Sequence, residues 1–67
     1  MDHQEVIRNL KFEYYGALEA VKRDDEANHT NHAAHFVSFY EFLLRHDYTR
    51  QQLSALGISR KNALGSV

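Results

Sequence analysis

Residues 29–47, HTNHAAHFVSFYEFLLRHD, constrain the fold most, because a single helix over this segment carries two apolar faces. Residues that recur every three or four positions lie on one side of an α-helix. The first stripe starts at His29 and contains Ala33, Phe36, Val37, Tyr40, Leu43 and Leu44. The second stripe has the spacing of a helix-packing seam and contains His32, His35, Phe39, Phe42 and His46. A helix with so little polar surface needs partners on two sides.

The chain is too short to supply many partners of its own. Its 67 residues allow one helical domain, residues 1–67, and a domain of this size buries only about 60% of its unfolded surface. Because the chain has no Cys, disulfides and thiolate metal sites cannot reinforce it. Oligomerisation is the reinforcement that the sequence favours, and the second stripe of residues 29–47 predicts a homodimer.

A helix is predicted over about residues 4–23. Its apolar positions follow helical spacing and fall on one face, Val6, Ile7, Leu10, Tyr14, Ala17, Leu18 and Val21. Phe12 and Tyr15 lie off this face among charged residues, so we expect them to be partly exposed. Gly16 costs about 1 kcal/mol in a helix, a cost that is usually tolerated where two backbones approach each other closely.

A turn is predicted between this helix and a second one over about residues 25–46. Lys22 and Arg23 suit the C-terminal end of a helix dipole, and Asp24 or Asp25 suits an N-cap. The alternative is one unbroken helix over residues 4–46. Its seven-residue repeat would place polar side chains in the apolar seam, namely Asp24, Asn31, Ser38 and Arg45. The pattern therefore favours an antiparallel helical hairpin.

A short third helix is predicted over about residues 50–56. Thr49 and Gln52 have the spacing of a capping box, Leu53 and Leu56 form an apolar pair, and Gly57 ends the helix. This helix would cover the large apolar side chains at the end of the hairpin away from its turn. The basic tail, residues 59–67, adds one helical turn after Ser59 or frays.

Three histidines suggest a metal site. His29, His32 and His35 follow one another in steps of three, so each neighbouring pair could share a divalent transition metal. The three rings fan around the helix, however, and a site would have to be a pair completed from elsewhere, with Asp25 as the nearest carboxylate. The alternative is that the three rings are packing and surface residues, so no cofactor is required.

The C-terminal segment resembles a helix-turn-helix, in which the second helix starts with side chains that contact DNA bases. Leu56, Gly57, Ile58 and Ala63 fit the motif, whereas Gln52 and Leu53 depart from it. The resemblance implies that the DNA-contacting side chains would be Arg50, Arg60, Lys61 and Asn62. The net charge of −1 offers little of the phosphate attraction that dominates DNA affinity, which favours a covering helix followed by a basic tail.

The sequence does not indicate an enzyme. Ser and Thr occur without a Gly-rich nucleophile turn, and the acidic run at Asp24–Glu26 is typical of a helix cap. No stretch approaches the ~18 apolar residues of a membrane span and no signal peptide is evident, so a cytoplasmic location is expected.

These features together predict an all-α protein: a helical hairpin with a short third helix that dimerises into a four-helix bundle. The predicted function is non-enzymatic protein binding by a small regulatory protein of the bacterial, plasmid or phage type. The expected interface residues are Phe39, Phe42, His35 and His46 for the dimer, with Phe12 and Tyr15 for a protein partner. The alternatives are a DNA-binding transcriptional regulator and a histidine-based metal-binding module.

Overall fold

The structure, a computed structural model, describes residues 2–65 and contains four helices. They are α1 (His3–Lys22), α2 (Glu26–Arg45), α3 (Arg50–Ala55) and α4 (Arg60–Ala63). Within the described residues every regular element is helical, and the two long helices pack against each other. The prediction of an all-α protein built on a helical hairpin is confirmed. The last two residues of the predicted tail, 66 and 67, lie outside the described part of the chain.

The turn between α1 and α2 is short and contains no glycine. Asp24 adopts a positive φ of 56°, and the Asp25 side chain accepts a hydrogen bond from the backbone N–H of Asn28 at 3.2 Å. Aspartate is one of the few residues that tolerate the left-handed conformation, because its short side chain bonds locally. The unbroken helix is therefore excluded, and Asp25 is the N-cap of α2.

The core forms where the apolar stripes of α1 and α2 meet. Each helix contributes three buried residues to the main cluster, Val6, Leu10 and Tyr14 from α1 and Phe36, Tyr40 and Leu43 from α2. Later segments close the cluster with Leu53, Ile58 and Ala63. Close-packed apolar side chains of this kind supply most of the free energy that holds two helices together.

The segment after α2 covers the hairpin as expected, with one further helix. Thr49 and Gln52 form both hydrogen bonds of the capping box, and Leu53 of α3 is fully buried. Gly57 has a φ of 83°, which reverses the chain so that Ser59 can cap α4. Helix α4 packs on both long helices, and the Nε2 atom of His29 lies 2.9 Å from the carbonyl oxygen of Ala63.

Two residues of the predicted apolar faces are exposed instead of buried. Val21 is half exposed, because the small residues Ala17 and Ala20 form the interior of α1 near the turn and leave Val21 at the rim. Leu56 is the C-cap of α3, where the chain has already begun to turn, and Ile58 takes the buried position. Across residues 2–65, no helix combines the length and the apolarity that a bilayer crossing needs.

Candidate protein-binding surface

The hairpin has two different long faces. The first, here called the α4 face, is where α4 packs and where His29 meets Ala63. The second, here called the groove face, carries a groove of about 470 Å³ between the second half of α1 and the start of α2. The groove is lined from α1 and α2 and the turn between them, without α3 or α4. Within residues 2–65, the chain therefore covers the α4 face with its own residues and leaves the groove face open.

Two aromatic side chains beside the groove are largely exposed. Phe12 is 67% exposed and Tyr15 is 62% exposed, in agreement with their position off the apolar stripe of α1. Phe12 meets the ring of His32 edge-on with ring centroids 6.1 Å apart, and Tyr15 meets Tyr14 in the same way at 5.4 Å. Each ring is thus supported along one side while most of its surface stays in water.

Glu13 connects the two long helices at the groove face. Its side chain is only 12% exposed, and its Oε1 atom lies 2.6 Å from Nδ1 of His32. Its Oε2 atom lies 3.3 Å from Nδ1 of His35, whose side chain is more than half exposed. One carboxylate on α1 thereby binds two imidazoles on successive turns of α2 and fixes the register of the hairpin. Glu13 was not predicted as a site residue, although its position three residues before Gly16 places it on the side of α1 that faces His32.

Gly16 is required where the His32 ring lies against α1. A Cβ atom added at Gly16 would lie 2.8 Å from Nδ1 and Cε1 of that ring, well inside van der Waals contact. The close backbone approach expected at Gly16 is not what the structure shows, because the group that lies against the backbone of α1 is an imidazole side chain. This approach places His32 within reach of Glu13.

The structure does not bring the three candidate metal ligands together. His29 lies at the α4 face against Ala63, whereas His32 and His35 lie at Glu13. Asp25 uses both carboxylate oxygens to accept hydrogen bonds from Asn28. In the described part of the chain, no group of three or more metal-binding side chains is positioned to hold an ion. A site made from one histidine pair with ligands from elsewhere stays a prediction.

The aromatic residues of the predicted dimer seam on α2 are less available than their spacing suggests. Phe39 and Phe42 are half-buried and pack against the core of their own chain. Phe42 stacks on His46 with centroids 4.3 Å apart, and His3 covers its edge at 6.1 Å. His3 also meets the ring of Tyr48. The first turn of α1 thus shields a side chain that the sequence assigned to a partner, and His3 was not selected in advance.

The four candidate DNA-contacting side chains, Arg50, Arg60, Lys61 and Asn62, are all exposed. Arg50 starts α3, and the other three start α4. Helix α4 has only four residues and ends at a cap formed by Leu64 and Gly65, the latter with a φ of 71°. A single helical turn presents its side chains over about 6 Å, far less than a recognition helix lying in a major groove.

Comparison of the chain with protein-family models, with curated proteins and with solved structures gives no match.

Proposed function

We propose that the protein is a small non-enzymatic regulatory protein that binds other helices through the groove face of its hairpin, and that it does so first as a homodimer. The observation that supports this function best is the exposure of Phe12 and Tyr15 beside an apolar groove that the chain leaves uncovered. Large aromatic side chains dominate the energetics of protein contacts, and clusters of them on a surface are typical of interaction sites.

The small size of the chain supports association. A domain of 67 residues is marginally stable as a monomer. Removing one aromatic side chain from water contributes about 1.5–3 kcal/mol, so a symmetric contact that covers Phe12 and Tyr15 on both copies involves four such side chains. Two hairpins joined in this way contribute four long helices, which is the composition of a four-helix bundle. Linkage to the dimer would then stabilise the folded chain.

The proposed interface relies on different residues from those that helical spacing predicted. Of the six candidate interface residues, the exposed ones are Phe12, Tyr15, His35 and His46. Phe39 and Phe42 are half-buried and would contribute only their outer edges. The proposed contact is therefore centred on α1 and the groove. The groove, with the small residues Gly16 and Ala20 on its α1 side, would receive the helix of a second protein in place of the second copy, because Phe12 and Tyr15 line it as well.

Sedimentation velocity tests the proposal directly. The chain, measured from about 1 µM to about 200 µM, should pass from monomer to dimer, since Kd values in this range correspond to roughly −5 to −8 kcal/mol. Phe12→Asp should shift the distribution to monomer while the helical circular dichroism is retained. Ser38→Asp, which adds the same charge at an exposed position of α2, is the matched control and should leave the dimer intact. A monomer at every concentration would contradict the proposed homodimer.

DNA binding is the second candidate function. The observation that favours it is the exposure of Arg50, Arg60, Lys61 and Asn62 around a turn shaped by Gly57. The shortness of α4 makes it the weaker proposal. Titration of a fluorescent duplex at two salt concentrations separates the two functions, because phosphate contacts give a steep loss of affinity with salt. Loss of that binding in Arg60→Ala with Lys61→Ala would support the second function.

A further inference from the structure

One exposed stripe runs the length of α1 and has an ordered sequence of chemical types. Its members alternate in steps of three and four, which places them along one side of the helix, and all are exposed: Glu5, Arg8, Phe12, Tyr15, Glu19 and Lys22. Here they are called the outer stripe. Read from the N-terminus, the stripe presents an anion, a cation and an aromatic ring, followed by a second aromatic ring, an anion and a cation.

The outer stripe is complementary to itself when two copies run antiparallel. In that arrangement Glu5 faces Lys22 and Arg8 faces Glu19. Phe12 faces Tyr15, and the twofold axis passes between the two rings. Each pairing occurs twice because the contact is isologous. A parallel arrangement would instead place Glu5 on Glu5 and Arg8 on Arg8, so the same stripe opposes that orientation by like-charge repulsion.

We propose that two copies of this chain associate through antiparallel contact of their outer stripes, with Phe12 of each copy packed on Tyr15 of the other. This inference rests on the homodimer proposed above and specifies its surface and its orientation. The aromatic rings form the centre of the contact and supply the apolar burial, whereas the charged residues at both ends select the antiparallel register. The predicted seam on α2 is a poorer centre, since the side chains of Phe39 and Phe42 are already packed against their own core.

Charge exchange tests the pairing. Arg8→Glu replaces two attractive Arg8–Glu19 pairs with two repulsive ones, and the dimer Kd should rise about tenfold at low salt. Arg8→Glu combined with Glu19→Arg restores opposite charges across the contact and should restore the Kd. Arg45→Glu is the matched control, because it makes the same charge change at an exposed residue that pairs with Glu41 on α2, outside the outer stripe. Failure of the double variant to recover would contradict the pairing.

Cysteine cross-linking tests the orientation. Because the chain has no native cysteine, any disulfide in a single-cysteine variant must involve the introduced residue. Positions 8 and 19 lie eleven residues apart, or about 16 Å along the helix, whereas a disulfide needs Cα atoms within about 7 Å. Under mild oxidation, a mixture of Arg8→Cys and Glu19→Cys chains should form the mixed disulfide, and neither variant alone should cross-link rapidly.

The outcomes separate the two proposals. Rapid formation of the mixed disulfide, with recovery by charge exchange, supports antiparallel contact of the outer stripes. Rapid disulfides in either variant alone indicate a parallel contact and overturn the inference. A dimer in sedimentation that forms no cross-link between positions 8 and 19 overturns the inference but leaves the homodimer standing. A monomer at all concentrations overturns both.

Discussion

The aromatic side chains of α1 and those of α2 have opposite surroundings, although both pairs lie on long amphipathic helices. Phe39 and Phe42 of α2 have the regular spacing of a packing seam, yet they are half-buried within their own chain. Phe12 and Tyr15 of α1 lie off the apolar stripe among charged residues, yet they are the most exposed large apolar side chains of the described chain.

The difference shows that whether an aromatic side chain is free to contact a partner depends on what packs opposite it, and not on helical spacing alone. The C-terminal end of α2 lies opposite the first turn of α1, where His3 contacts the ring of Phe42. Phe12 and Tyr15 in the middle of α1 face outward, and the α2 side chain that meets Phe12 is the ring of His32, which lies against Gly16. A seam predicted from periodicity can therefore be covered by the same chain.

The largest expected effect is a loss of folding stability when the two aromatic side chains of α2 are replaced. Phe39→Asp combined with Phe42→Asp should unfold the chain, because two half-buried rings packed on the core are replaced by charges at a cost of about 3–5 kcal/mol. This is comparable to the whole stability of a small domain. Circular dichroism during urea titration measures it. A folded helical monomer would show that these rings belong to an intermolecular seam after all.

The complementary change at α1 should act on association alone. Phe12→Asp combined with Tyr15→Asp should weaken the dimer at least hundredfold, about 2.7 kcal/mol, while the monomer keeps its stability within about 0.5 kcal/mol. The reason is that the exposed rings contribute little to the core of their own chain. Sedimentation gives the first quantity and urea titration at low concentration gives the second. A large loss of monomer stability would contradict the distinction between the two aromatic pairs.

A smaller effect tests the contact between Gly16 and His32. Alanine is better than glycine in a helix by about 1 kcal/mol, so Gly16→Ala should stabilise the chain by that amount when His32→Ala has already removed the ring. In the native background the added methyl group displaces His32 from Glu13, and the gain should be cancelled or reversed. Urea titration of the four chains gives a coupling energy of about 1 kcal/mol or more. Additive changes would contradict the contact.

The smallest expected effect concerns the exposed ion pair at the turn end of α1. Arg23 lies 3.7 Å from Glu19, with side chains 73% and 54% exposed. Arg23→Ala should change monomer stability by less than about 0.5 kcal/mol, because solvent screens exposed pairs. Its effect on the dimer should be equally small, since so exposed a pair holds Glu19 only weakly and leaves it free to meet Arg8 of the other copy. Thermal melts and sedimentation of this variant provide the baseline for the charge exchange at Arg8 and Glu19.

Much of the fold followed from local rules. The hairpin was predicted because a continuous helix would place Asp24 and Asn31 in an apolar seam, and the break occurs at Asp24. The start of α3 was predicted because Thr49 and Gln52 satisfy backbone donors that otherwise lack partners. These signals act over three or four residues, so the sequence contains them directly.

The candidate surface was harder to predict because it depends on contacts between distant residues. His3 shields Phe42, and Glu13 binds His32, across sequence separations that no local pattern encodes. Glu13 resembles any exposed acidic residue of a helix until the hairpin register is known. The exposure of Phe12 and Tyr15 was predicted, since their positions follow from the helical period of α1 alone.

Three of the nine residues in the main core cluster, Leu53, Ile58 and Ala63, come from beyond the second long helix. A shortened chain that keeps both long helices but lacks these three residues would therefore leave one side of the core exposed to water. We expect an excised peptide ending at Asp47 to be a fluctuating, partly helical species that binds hydrophobic dyes. In that case the two long helices would not fold as a separate unit, and the short C-terminal segment would be needed to complete the core of the domain.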